Sequence, residues 1–429
     1  MRRTVRDLAS ALEGEPVELW GWIWNKREHG KLVFVDLRDW TGVVQVAARA
    51  GLTDHDSLQV LRSLSRESSV RIFGTVVRDP RAPGGIEVRC SKAEAISPST
   101  EDFPIRKGMG SKALYDHRHL HIRSPRMSAL MRIRSNLVWS VHEFFRSREF
   151  VEVDCPTIIT AAVEGGATLF EVNYLGRKAY LTQSVQFYQE AAIFGLGKVY
   201  SVQPSFRAEL SRTPRHLTEF WHVEGEMAFC DLEGLMRTIE DLVRFVVLRT
   251  EELSRRELDL LRRRIRTEEV EGEFYRVRYS EALEVLRRAG REVEWGSDLG
   301  ADEERIISSQ FDRPLFITHY PKEAKAFYHK SDPEDPRVTL STDLLAPRGN
   351  GEIVGAGVRI DDHEELLSRI RNSGLNPEDY GWYVDLRKYG SVPHAGFGMG
   401  VERVLKWILD LPHVRMASLF PRTPTRLYP

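Results

Sequence analysis

From residue 18 to residue 96, apolar and polar residues alternate with a period of two in five short runs: ELWGWIWN, LVFVDLRD, GVVQVAAR, SSVRIFGTVV and GGIEVRCSKAEAI. Such alternation places successive side chains on opposite faces of an extended chain, and the runs are rich in Val, Ile, Trp and Phe, so each is predicted as a half-buried strand. Turn residues separate them, as in Glu28-His29-Gly30 and in the stretch 79–85. Five strands before a boundary predict a small closed barrel. On strand count alone, the oligonucleotide-binding OB-fold and a barrel used for protein contacts fit equally well.

The pattern then changes. Residues 97–118 hold no period and carry Pro, Gly and Ser, which predicts a linker. Leu130, Ile133, Leu137, Val141 and the pair Phe144 and Phe145 recur three and four apart, the stripe of an amphipathic helix. FVEVDCPTII follows as a predicted strand, with Pro156 suited to an edge or an interface. Further strand-like runs lie at 179–182, 197–204, 219–229, 315–320 and 351–358. The charged stretch 231–290 reads as a helical surface insertion, and GFGMGVERVLKWILDL sets three glycines before an amphipathic helix. The expected organisation is a barrel over 1–100, a linker over 101–125 and an α+β domain over 126–429, an antiparallel sheet flanked by helices.

Composition narrows the class without naming a ligand. With 41% hydrophobic and 29% charged residues the chain is of ordinary globular type. Lys+Arg (62) and Asp+Glu (63) cancel, so a nucleic-acid partner would have to be held by local patches and shape. Cys90, Cys155 and Cys230 are isolated, which argues against a disulfide framework or a zinc site. No run is apolar enough for a signal peptide or a membrane span, and a cytoplasmic protein is expected.

Three segments, read together, resemble the signature motifs of class II aminoacyl-tRNA synthetases. The long helix with FVEVDCP resembles motif 1, FRAELSRTPRHLTEFWHVEGEMAF over 206–229 resembles motif 2, and GFGMGVERVL over 396–405 resembles motif 3. The preceding barrel is the layout of the aspartyl, asparaginyl and lysyl enzymes, and it makes the OB-fold an anticodon-binding domain. The resemblance implies the class II catalytic fold, a homodimer built on motif 1, ATP as substrate with Mg²⁺, and a tRNA partner.

Activating an amino acid means attack of its carboxylate on the α-phosphate of ATP, so catalysis needs fixed cations and alignment. By resemblance Arg207 grips the α-phosphate, with Glu209 completing R-x-E, and Arg215 and His216 reach the outer phosphates. Phe220 and Arg403 sandwich the adenine. Asp343 and Glu352 match the acidic positions that hold metal, although Asp343 also suits a turn cap.

The loop AAVEGGATLF resembles the mobile loop that closes over substrate, with Glu164 meeting the ammonium group and Gly165 and Gly166 as its hinge. Ser184 and Gln186 match substrate-contacting positions. Where aspartyl enzymes carry a lysine this chain has Gln189. An aspartate side chain would bury a second negative charge, and the only cation left for it is Arg359, so a neutral carboxamide is the expected ligand. Phe220-Trp221-His222-Val223-Glu224 follows the asparaginyl pattern and makes Glu224 the expected amide reader. Gly357-Val358-Arg359-Ile360 departs from that pattern toward archaeal-type aspartyl enzymes. The expected reaction is therefore ligation of asparagine to its tRNA through an asparaginyl-adenylate, with aspartate charging or a tRNA-independent asparagine synthetase as rivals. On the barrel, the resemblance places Phe34 against the central anticodon base, Gln45 beside it and Arg27 on the backbone.

Overall fold

In the computed structural model of the chain, which describes residues 2–163, 168–211 and 213–429, the alternating N-terminal segment closes into a barrel. Its strands are Pro16–His29, Leu32–Arg38, Val43–Arg49, Ser69–Arg78 and Ile86–Ser97. Ile86–Ser97 pairs with Val43–Arg49 in parallel and with Ser69–Arg78 antiparallel, and Ser69–Arg78 returns to Pro16–His29, so the ladder closes on itself. Val33, Val35, Leu37, Val46, Val70, Ile72 and Val88 fill the inside, while Phe34, Asp36 and Gln45 alternate outward. A side chain on Gly74 would collide with the Arg89 carbonyl, which explains a glycine within a strand. The two-residue strand Arg2–Arg3, which joins Pro16–His29 in parallel, is too short to leave a periodic signal.

The chain divides into two units, residues 1–128 and 129–428. The second is built on an eight-stranded sheet in the order Tyr275–Arg278, Leu315–Thr318, Ser341–Ala346, Gly351–Val358, His394–Gly400, Glu219–Ala228, Lys198–Phe206, Val151–Glu152. The inner pairings are antiparallel, and the outermost pair at each edge is parallel. Within the helix Pro125–Ser147, the residues Ile133, Leu137, Val141, Phe144 and Phe145 are buried. Phe145 stacks on Tyr200 with centroids 4.3 Å apart, fixing that helix to the sheet.

Four expectations are corrected. FVEVDCPTII is two strands rather than one: Val151–Glu152 joins the large sheet and Ile158–Ile159 a separate three-stranded sheet, with Pro156 between them unable to donate to either ladder. That small sheet also takes the predicted strand near 179–182, observed as Arg177–Leu181. The linker contains the short helices Ser111–Asp116 and Arg118–His121, each too brief to show a stripe. The stretch 231–290 is not a surface insertion. Its helix Leu232–Leu253 buries Leu235, Ile239, Leu242, Val243, Val246 and Val247, and its strand Tyr275–Arg278 forms a sheet edge; of the helix's charged residues Glu240 is buried with them, paired to Arg244. Among the described residues no helix is long and apolar enough to cross a membrane.

Candidate active site

The hairpin of Lys198–Phe206 and Glu219–Ala228 sets the register of the site. Phe220, His222, Glu224 and Glu226 lie two apart along one strand, hence on one face, and pair across with Ser205, Gln203, Ser201 and Val199. On the other side Glu224 faces Gly398 and Glu226 faces Gly396. A Cβ at Gly396 would strike the Glu226 carboxylate, and one at Gly398 the His222 ring. The glycines of G-F-G-M-G therefore clear the floor across which these groups lie.

Arg207, Arg215, His216, Phe220, Glu352 and Arg403 line one cleft. Glu352 is its electrostatic centre. Arg403 Nη1 stands 2.9 Å from Glu352 Oε2, and Arg215 Nη2 donates to the Glu352 carbonyl at 3.2 Å. Burial pushes the Glu352 carboxyl up, but Arg403, Arg215, Lys325 and Arg207 outweigh it and hold it down at about 2. The same guanidiniums add to burial at His216, lowering it to about 4, so this ring is neutral near pH 7. The Arg207 guanidinium lies 5.5 Å from the Phe220 ring. Glu209 lies outside the lining of this cleft, its carboxylate 3.8 Å from His216 Nε2.

A second cavity shares Arg207, His222, Glu352 and Gly398 with the first, so the two adjoin. Ser184, Gln186, Gln189, Glu224 and Arg359 all line it, as expected from the sequence. The Glu224 carboxylate accepts from Ser184 Oγ and from the Val185 N–H at 3.1 Å. Arg359 is held bidentately by Glu226, at 3.1 and 3.0 Å. Gln189, only 1% exposed, donates its amide to Ser201 Oγ and to the Glu224 carbonyl at 3.1 and 3.2 Å. Glu164 and the glycines after it lie outside the described residues.

Sequence reasoning missed several groups here. Arg359 is not the only cation: Lys325 lines the same cavity, with Nζ 2.6 Å from Asp343 Oδ2 and further carboxylates of Asp298 and Glu352 nearby. Its charge is thus matched by acidic neighbours. Glu304 pairs with Arg215 Nη1 at 2.6 Å and accepts from the Glu352 N–H at 2.7 Å; burial pushes its carboxyl up to about 7 against the pull of Arg215. Beneath the pocket, the fully buried Glu190 accepts from Tyr383, Arg387, Gln186 and His394. Glu190, Glu226 and His394 bring three ligand-type atoms within 4.8 Å, but Arg387 and Arg359 already occupy the two carboxylates. Lys325, Glu304 and Glu190 stand in none of the three motif segments, and only the fold shows that each has a partner.

As for a metal, Asp343 faces Gly355 across neighbouring strands, and a Cβ at Gly355 would come within 3.6 Å of Asp343 Oδ1 and 3.5 Å of Glu352 Oε1. The missing side chain leaves a space between two carboxylate oxygens, the hard donor type that Mg²⁺ takes, while the other oxygen of each carboxylate pairs with Lys325 or Arg403.

On the barrel, Arg27, Phe34 and Gln45 form one cluster on the outer face. Arg27 Nη2 donates to Gln45 Oε1 at 2.9 Å and stands 3.2 Å from Asp36 Oδ1, with its guanidinium 5.7 Å from the Phe34 ring. Gln45 in turn donates to Glu87 at 2.7 Å. Asp36 and Glu87 are members of this cluster that strand alternation alone could not single out.

Comparison with known proteins adds two family matches: tRNA synthetases class II (D, K and N) over residues 110–424, and OB-fold nucleic acid binding domain over residues 17–96. An asparagine–tRNA ligase of Pyrococcus furiosus is 51% identical over 422 residues, 97% of each chain. A crystal structure of asparaginyl-tRNA synthetase from Pyrococcus horikoshii complexed with asparaginyl-adenylate superposes with a TM-score of 0.97 at 48% identity, covering 100% of both chains. That of the Entamoeba histolytica asparaginyl enzyme with asparaginyl-adenylate gives 0.88 at 33% identity, again over 100% of both.

Proposed function

Because the chain belongs to the class II tRNA synthetases of the D, K and N group, we propose that it activates asparagine with ATP and joins it to tRNA. The carboxylate of asparagine attacks the α-phosphate of ATP, pyrophosphate leaves, and asparaginyl-adenylate forms. A ribose hydroxyl at the tRNA terminus then attacks the activated carbonyl and AMP leaves. The observation that carries the choice of asparagine is the pair of opposite readers in one buried cavity. Glu224 is an acceptor for the carboxamide NH₂, and Arg359 is a donor to its oxygen.

In this reading Arg207 binds the α-phosphate and the attacking carboxylate, and stabilises the charge that grows on the phosphorus oxygens. Phe220 and Arg403 enclose the adenine, and Arg215 with neutral His216 takes the outer phosphates. Ser211 and Thr213 hold the Nδ1 side of His216, and Glu209 lies 3.8 Å from its Nε2. Ser184, Gln186 and Gln189 shape the amino-acid pocket, and Glu164 meets the ammonium group. Asp343 and Glu352 would hold Mg²⁺, which when bound neutralises the polyphosphate and the leaving pyrophosphate. The test is charging of tRNA transcripts: asparagine should appear on tRNA for asparagine, and aspartate charging in its place would contradict the assignment.

Two further parts of the reading have their own tests. Phe34 offers a half-exposed ring for an anticodon base, and stacking of this kind is worth about 1–3 kcal/mol per base. We expect Phe34→Ala to lower kcat/KM for tRNA by about tenfold or more. Asparagine-dependent exchange without tRNA should stay at the wild-type rate; an equal fall in both would contradict an anticodon role. A homodimer is supported by Trp139, 63% exposed on the motif 1 helix, with Val151 40% exposed just beyond it. Trp139→Glu should shift the sedimenting species from dimer to monomer, whereas an unchanged dimer would place the interface elsewhere.

A further inference from the structure

His222 stands where the two cavities meet, and neither reader nor phosphate group has been assigned to it. Its ring packs edge-on against Phe220 with centroids 5.4 Å apart. Its Nδ1 lies 3.1 Å from Glu224 Oε1 and 3.3 Å from Ser205 Oγ, while Nε2 occupies the space that the absent side chain of Gly398 leaves open. Facing a carboxylate, Nδ1 carries a hydrogen. One ring thus touches both the aromatic face of the nucleotide cleft and the carboxylate of the amino-acid pocket.

That carboxylate is ringed by donors. Oε2 accepts from Ser184 Oγ, and the Val185 N–H reaches Oε1 at 3.1 Å and Oε2 at 3.2 Å. Resting on the reading of Glu224 as amide reader, we propose that His222 is a positioning residue that sets amino-acid specificity. Its Nδ1–H keeps Glu224 an acceptor, so the pocket takes the NH₂ of a carboxamide and turns away the carboxylate of aspartate.

The sign follows from the groups around Glu224. Burial pushes its carboxyl up; His222 opposes this most strongly, followed by Ser184 and Val185, and the carboxyl ends below its ordinary value. The other charged or titratable groups lining the cavity are Arg207, Arg359, Glu226, Lys325, Asp298, Glu304, Tyr328, His329, Asp343 and Glu352, and the Cys155 thiol lies near Glu224 as well. Arg359 is matched by Glu226 and Lys325 by Asp343, and Arg207 lines the same pocket as Glu224. Without the Nδ1–H, burial counts for more and Glu224 takes up a proton at higher pH than in the wild type. A protonated Glu224 donates an O–H, and an aspartate carboxylate can accept it.

The test measures pyrophosphate exchange with asparagine and with aspartate, from acid to mildly alkaline pH, in the wild type, His222→Leu and His222→Asn. The asparagine variant presents an NH₂ near the place of Nδ1. We expect the asparagine-over-aspartate ratio of kcat/KM to fall by about tenfold or more in His222→Leu. The fall should steepen toward acid pH, and His222→Asn should restore the wild-type ratio. A wild-type ratio in His222→Leu at every pH, or a His222→Asn as indiscriminate as His222→Leu, would overturn the proposal. If His222→Leu does not fold, His222→Gln, whose NH₂ extends toward the Nε2 position, takes its place in the comparison. A wild type that activates mainly aspartate is a different result and would overturn the asparagine reading itself.

Discussion

Arg207→Ala is expected to lower the rate of asparagine-dependent adenylate formation by about 10²–10³-fold, the size seen when one preorganised donor to a developing oxyanion is removed. Among the described residues Arg207 is the guanidinium that lines both cavities, which in the proposed reading is where the two substrates would meet. Arg215 and Arg403 are tied to Glu352, by the carbonyl and by the carboxylate, and neither borders the amino-acid side. Their charges cannot replace one aimed at the α-phosphate. The variant should still bind tRNA, because the Phe34 cluster belongs to the other unit. Normal turnover in Arg207→Ala would remove this residue from the reaction, and loss of tRNA binding together with activity would point to misfolding.

Arg359→Met should abolish use of asparagine and also cost about 3–5 kcal/mol of stability, read from denaturant titration, because it leaves one partner of a buried ion pair alone. The partner is Glu226, fully buried, with its carboxyl already pushed up by burial and only partly drawn back by Arg359. Without the guanidinium burial pushes it up further and it takes up a proton more readily, so the loss of stability should be largest in alkaline solution and shrink as pH falls. The double variant Arg359→Met, Glu226→Gln removes the stranded charge. It should regain most of the stability while regaining none of the activity. Recovery of activity in the double variant would mean that Arg359 acts only as a structural partner.

How far the site could be read in advance depended on what kind of signal each part leaves. The barrel strands were visible because one face is packed and the other solvated, which writes a period of two into the chain. Arg207, Phe220 and Arg403 stood in recognisable spacings, and they do line one cleft. Lys325, Glu304 and Asp298 stood in none, because they reach the pocket from segments far along the chain, and a buried charge looks like any solvated one until its partner is known. The helix Leu232–Leu253 was misread for a related reason: a charged outer face dominated its composition and hid the buried stripe. His222 is one letter of the motif 2 segment, and its contact with Glu224 emerges from strand register, two residues apart on one face.

The central claim, that this site reads a carboxamide rather than a carboxylate, is tested most directly by exchange of pyrophosphate into ATP with purified protein, with asparagine and aspartate assayed in parallel in the presence of Mg²⁺. Brisk exchange with asparagine and little with aspartate is the predicted result, with Glu224 as acceptor and Arg359 as donor. Exchange mainly with aspartate would contradict it, and would mean that Arg359 together with Lys325 presents the pocket as a binding site for a second carboxylate.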